Sequence, residues 1–367
     1  MDQREPIYLD HHTTTRPCSR SIEQLNWLLK EAWGSFRSPH QKGQEAVPKI
    51  QHEISFLYEW LGAETEDLLL FDSLTTSIDA LNEMIFFQLA KGKGKNHLVL
   101  PEIEERPTWS HWQKQGCIIK HAPVTEKGII DLKALDEILG PRCAILSLFW
   151  AHPFTGVMQP VEEIAKICKA KNVLLHVDAS LVLGKIPLSF HELAIDFLSF
   201  SGTYIHAPAW TKALWVKRKH AALFTSERYF DPATALSLIE ACRQMMLTAD
   251  QTAMEFARLR MQFMKKLNQM GAYQLFSKTP GLNNHCIFAF DGVSSEALAY
   301  ALNERRVYVS YDPKQADILS RCQISDRWAH SALAFSLSRY NTEEGVQRAA
   351  QILAEEYEKL KSHSRKL

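Results

Sequence analysis

The sequence predicts an α/β protein: a central, mostly parallel sheet sandwiched by helices, joined to a smaller α+β unit. Three observations carry this reading. Short apolar runs alternate with stretches of helical periodicity through most of the chain. One run, Leu174-Leu175-His176-Val177, ends on Asp178 and reads as a buried strand that delivers a carboxylate to its carboxyl end. After a long helical stretch, Cys286–Phe290, Ser295–Asn303 and Val307–Ser310 read as strand, helix and strand in a unit of their own.

Size and composition bound the rest. A chain of 367 residues accommodates two domains, or one large domain with a smaller one attached. It is 46% hydrophobic and 23% charged, ordinary for a globular protein, and 42 Lys and Arg balance 42 Asp and Glu. With no net charge and no basic stripe interleaved with aromatics, nucleic acid is not an expected partner. Seven cysteines (Cys18, Cys117, Cys143, Cys168, Cys242, Cys286, Cys322) stand singly. An odd, unpatterned set fits reduced thiols in a cytoplasmic protein rather than a disulfide framework. Met1–Asp10 is charged and lacks the apolar core of a signal peptide. No apolar run approaches the roughly 20 residues that span a bilayer. Lys359–Leu367 reads as a frayed tail.

In chain order, Ile7–Asp10 is a short strand, followed by a polar loop, His11–Pro17. The pair His11 and His12, with His40, raises a metal site. Adjacent histidines point different ways and no carboxylate or Cys spacing supports them, so they read as loop histidines. Ser21–Trp33 and Gln44–Leu61 have helical spacing, the second closed by Gly62. Leu68–Phe71 is a strand. Asp72–Ser77 then opens a helix at Ile78–Leu89, and a helix start behind a strand is an anion site. Ser73 and Thr76 serve equally as simple N-caps there. His97–Leu100, Ile118–Ala122 and Ala144–Leu148 are strands, with a helix at Asp131–Leu139 between the last two. Val161–Lys171 is a helix. Asp196–Phe200 is a further buried run ending in the turn Ser201-Gly202, and Ala213–Val216 resumes as a strand. Ala235–Met270 reads as one long helix. Asn341 or Thr342 caps the last.

Ligands of open α/β sheets sit just outside the carboxyl ends of the strands. Asp178, Ser201, Thr203, Tyr204 and His206 therefore surround one crevice. Tyr204 and His206 could form an acid/base pair there, on spacing alone.

The segments His176–Pro187, Asp196–Gly202 and His206-Ala207-Pro208 resemble the cofactor core of the cysteine desulfurases, a branch of the class V aminotransferases. The resemblance runs from Ile7 to about Leu353. It implies the PLP-dependent transferase fold, aspartate aminotransferase-like, fold type I. It also implies a large domain over 15–250 and a small one from 1–14 and 251–367. In that family the Asp at Asp178 pairs with the pyridinium nitrogen of pyridoxal phosphate (PLP). The family pattern Ser-x-His-Lys-x-x-Gly-Pro-Lys-Gly falls on Ser201–Trp210. Tyr204 stands where the Schiff-base Lys would be, and Thr203 where the preceding His would be.

Other positions depart likewise. The phosphate loop keeps Ser73 and Thr76 but has Leu74 for Gly, where a phosphate needs bare backbone amides. The ring-stacking His falls at Glu105 or Arg106. The cofactor-bonding Asn falls at His152 or Pro153, and the Gln at Leu181. Gly156, Gln159 and Pro160, which are turn and helix-start residues, are kept. The loop that carries the nucleophilic Cys is Ser310–Gln315, without a thiol, and Cys322 reads as packing. Ala334 replaces the Arg that clamps the substrate carboxylate.

The expectation is a desulfurase-like protein that has lost its chemistry and persists as a binding, scaffold or regulatory partner in sulfur or iron–sulfur metabolism. No catalytic residue, metal or bound cofactor is expected. Asp178, Thr76, Ser201, Thr203, Tyr204 and His206 are vestigial cofactor positions, partly plugged by Leu74, Leu181 and Trp210. The competing expectation is an active PLP enzyme with a displaced amine, Lys185 or Lys212, although both positions suggest solvent. The resemblance implies a homodimer. A heterodimer with an active relative and a sulfur-transfer or iron–sulfur scaffold partner are the alternatives.

Overall fold

A computed structural model describes residues 5–64, 67–72, 94–104, 113, 116–186, 192–222 and 231–364. The predicted helix Ile78–Leu89, the phosphate loop and Glu105 and Arg106 lie outside the described residues.

Among the described residues seven strands form the main sheet. They are β2 (Leu68–Asp72), β3 (His97–Pro101), β4 (Ile118–Ala122), β5 (Cys143–Phe149), β6 (Leu174–Asp178), β7 (Phe197–Ser201) and β8 (Lys212–Val216), in the order β2-β8-β7-β6-β5-β3-β4. β8 runs antiparallel to both its neighbours, β2 and β7, and the other described pairings are parallel. Parallel strands need both faces covered, which is why these read as unbroken apolar runs. Along β7 every residue is buried, Leu198 and Phe200 toward one core cluster and Phe197 toward another.

The second unit is a three-stranded antiparallel sheet, β12 (Ala332–Ser336), β10 (His285–Ala289) and β9 (Tyr273–Gln274). The helices Ala249–Gln269, Ser295–Glu304 and Glu343–Ser364 enclose an aromatic core with it, including Phe263, Phe290, Phe335 and Tyr357. The amino terminus joins this unit. β1 (Ile7–Tyr8) pairs in parallel with β11 (Val307–Tyr308), and Ser336 N donates to Leu9 O.

Two predicted helices are in fact pairs. Ala235–Met270 is Pro232–Leu247 followed by Ala249–Gln269, broken at Thr248, whose φ of −120° leaves the helical region. Gln44–Leu61 is a short turn, Gln41–Gln44, then Val47–Leu61. Its end is as predicted, with Gly62 in the left-handed region at φ 58°. Thr342 caps the last helix, its hydroxyl accepting from Gly345 N. No helix among the described residues is long and apolar enough to cross a membrane.

Candidate functional site

β6 presents Asp178 at its carboxyl end. The carboxylate is held from two sides: Oδ1 accepts from Ser180 N at 3.0 Å and Oδ2 from Ser199 Oγ at 3.1 Å. Ser199 is two residues into β7, opposite Asp178 in register. Behind it lies His176, 1% exposed, with Nε2 at 3.0 Å from Ser199 Oγ and Nδ1 at 2.7 Å from Ser147 Oγ. Ser199 spends its one proton on Asp178. His176 therefore donates from Nε2 and accepts at Nδ1, and the donor chain reads Ser147, His176, Ser199, Asp178.

Ser201 ends β7 and caps the short turn Gly202–Tyr204. Its hydroxyl donates to Thr203 Oγ1 at 3.0 Å, and Thr203 Oγ1 donates onward to Ala209 O. Both hydroxyls are thus used within the loop. Tyr204 is half-buried against the main core. His206 is strained, with φ at 62°. It reaches toward the amino-terminal loop, Nδ1 donating to Arg16 O at 2.9 Å and its ring lying edge-on to Tyr340. Burial lowers its ring to a pKa of about 4. Thr15 locks the two loops together, accepting from His206 N and donating to Thr203 O. The structure so brings Asp178, Ser201, Thr203, Tyr204 and His206 to one end of the sheet. Thr76 and Leu74 lie outside the described residues.

The substrate-clamp position, Ala334, is buried on β12. Two residues on and on the same face stands Ser336, whose hydroxyl accepts from His12 N at 2.7 Å and lies 2.8 Å from His12 Nδ1. His285 is directly opposite Ser336 on β10, and its ring meets that of His12 edge to face at 5.3 Å. His285 packs so closely on Gly156 that a Cβ there would fall 2.3 Å from its Nδ1. Among the described residues its Nε2 has no hydrogen-bond partner. Burial first, then the charges of His12, Arg260, Lys185 and His152, push its pKa well below the usual histidine range. His152 donates from Nε2 to Ile103 O and accepts at Nδ1 from Thr155 N. Among the described residues no group of three or more His, Cys, Asp or Glu is arranged to hold a metal. His40 merely caps a turn.

All seven cysteines are buried, none more than 7% exposed. Burial raises Cys322 to about 12, and it closes the helix Gln315–Arg321 as a packing residue. The Ser310–Gln315 loop leads into that helix and carries no sulfur.

Two sequence readings are corrected. Trp210 does not plug the crevice. The Pro208–Thr211 turn carries it outward, and it is 46% exposed. Leu181, by contrast, is in the core. Lys185 is half-buried rather than fully in solvent. Turn hydrogen bonds from Val182 and Leu183 to Ala179 O fold the chain back, and Lys185 Nζ donates to Leu181 O at 2.9 Å. Desolvation lowers the ammonium to about 8. His285 carried no motif in the sequence; only its register opposite Ser336 reveals it.

PLP, the group the resemblance implies, meets a suitable acceptor at Asp178. It meets no amine at position 204, and the Ser201 and Thr203 hydroxyls are already engaged. The residues do not fit a cofactor held covalently at position 204.

Residues 7–227 match the family described as Aminotransferase class-V. The chain is 28% identical to the cysteine desulfurase IscS of Neisseria meningitidis, over 99% of this chain and 95% of that protein. It is 26% identical to the cysteine desulfurase IscS of Rickettsia massiliae, over 98% and 93%. Among solved structures, a NifS-like protein superposes with a TM-score of 0.87 at 25% identity, over 95% of this chain and 98% of that one. The apo cysteine desulfurase of Thermococcus onnurineus superposes with a TM-score of 0.80 at 17% identity, over 97% and 95%.

Proposed function

We propose, on the footing that this chain belongs to the class-V aminotransferase family, that it is a cysteine desulfurase-like protein without desulfurase chemistry. It serves instead as a binding, scaffold or regulatory partner in sulfur or iron–sulfur metabolism. The observation that carries this reading is the burial of every thiol in the chain. A desulfurase must offer a thiolate to the sulfur it removes, and the thiolate is the nucleophile. Here burial raises the thiols of Cys18, Cys117, Cys168, Cys242, Cys286 and Cys322. Tyr204 supports the same reading, because a phenol cannot form an imine.

The expectation that no cofactor is held gains no support from relatives that are themselves desulfurases by name. The form of occupancy this reading allows is non-covalent PLP on Asp178. The proposal extends to a dimer, of two copies or with an active relative. Exposed Leu29 and Trp33 at the end of the first helix, and Leu247 and Met254 around the Thr248 break, offer apolar surface for it. The test is to incubate the protein with PLP and L-cysteine, alkylate, and read persulfide on cysteine peptides by mass spectrometry. No persulfide is expected. A persulfide on any one cysteine, formed in catalytic time, would overturn the reading.

A further inference from the structure

His12 is held at both ring nitrogens. Nδ1 lies 2.8 Å from Ser336 Oγ, and Nε2 lies 3.3 Å from Ser310 Oγ. The Ser336 hydroxyl accepts from His12 N at 2.7 Å and gives its one proton to Leu9 O. It therefore takes the Nδ1 proton of His12 as well, which leaves the Nε2 lone pair facing Ser310. Asp10 Oδ1 stands 3.5 Å from the same Nε2 and is itself held by the Thr13 hydroxyl at 2.7 Å. Ser310 comes just after β11 and is half-buried, whereas His12 is 5% exposed. A hydroxyl within reach of solvent, a ring nitrogen behind it and a third group fixing that ring are the parts of an activated nucleophile.

We propose that Ser310 and His12 form a second reactive centre, in which the serine takes the acyl group of a small uncharged ester or thioester. Ser310 Oγ adds to the carbonyl carbon, forming a C–O bond as the carbonyl π pair moves onto oxygen. The serine proton passes to His12 Nε2, and Asp10 Oδ1 faces the imidazolium so formed. The π bond then re-forms, the bond to the leaving alcohol or thiol breaks, and His12 returns the proton to that group. Water attacks the acyl-serine with the same base and frees the acid. No oxidant or reductant is consumed. Asp10 beside the base, and Asp312 two residues along the loop, repel phosphoryl and other anionic donors. That repulsion is why an uncharged acyl donor is the substrate class. The centre uses neither a cofactor nor a thiol, so its failure leaves the loss of desulfurase chemistry untouched.

The test is to incubate the full chain, without PLP, with p-nitrophenyl acetate, follow nitrophenolate release and map acetyl groups by mass spectrometry. A burst stoichiometric with the chain is expected, with acetyl on Ser310 about tenfold or more above any other serine. Ser310→Ala should abolish the burst with the urea midpoint unchanged, which separates loss of the nucleophile from loss of the fold. His12→Asn keeps a hydrogen-bonding side chain beside Ser336 but supplies no base, and should slow acetylation of Ser310 about a hundredfold. Asp10→Asn is isosteric and withdraws the charge facing the imidazolium, and should slow it about tenfold. Acetyl groups spread over lysines, with none at Ser310, overturn the proposal. So does acetylation of Ser310 at the full rate in either His12→Asn or Asp10→Asn.

Discussion

His12 and His285 meet edge to face, 5.3 Å apart, at Ser336, two residues along β12 from Ala334. The two rings come from distant parts of the chain and are fixed by one hydroxyl, that of Ser336, which bonds His12 and faces His285 across the β10–β12 ladder. Two imidazoles thus meet at the residue two places along the strand from the position where the resemblance implies a guanidinium. They are neutral groups closely packed with protein atoms.

That packing makes the fold acid-sensitive. In the folded chain burial holds His11 near 3 and His206 near 4, against an ordinary value of 6.5. The unfolded state therefore binds more protons, and stability is lost as pH falls from about 6.5 toward 4. Each such histidine costs on the order of 2 kcal/mol once pH is about 1.5 units below its unfolded value. Urea midpoints measured through this window should fall steeply. Replacing His206 with Asn should flatten the curve.

Gly156 and His285 form a coupled pair. Gly156→Ala adds a Cβ at φ 69° directly against the His285 ring. The expected cost is on the order of 2–4 kcal/mol, part strain and part overpacking. In the double variant with His285→Ala the overpacking share should return and the backbone share should remain. A urea-unfolding cycle over the two sites measures this coupling.

The relay behind Asp178 predicts a second effect. Ser199→Ala removes the donor to Asp178 and the acceptor of His176 together. Leaving a buried imidazole N–H unmet should cost on the order of 1–3 kcal/mol in urea unfolding. Ser199→Thr, which keeps the hydroxyl, should lose less.

Native thiol titration with a chromogenic disulfide should register no rapidly reacting group. In denaturant all seven cysteines should react. A fast native thiol would contradict their burial.

Much of this architecture is legible in the sequence because parallel strands leave continuous apolar runs. Leu174–Val177 gave β6 and put Asp178 at its end. What stays illegible depends on return paths and register. Thr248 breaks a long helical pattern without any Gly or Pro to announce it. Lys185 lies seven residues past a strand end, a spacing that suggests solvent until the turn at Ala179 folds it inward. Trp210 reads as a crevice residue until the Pro208–Thr211 turn swings it out. The vestigial character of the crevice is legible because it is a matter of residue identity at Tyr204 and Ala334, while the histidines that neighbour the clamp position are a matter of cross-strand pairing.

The measurement that tests the central claim most directly is alanine formation from L-cysteine by the purified chain, supplied with PLP and a reductant. The account predicts no alanine or sulfide above a protein-free control, since no amine stands at position 204 and no thiol is accessible. Alanine formed over many turnovers per chain would contradict it.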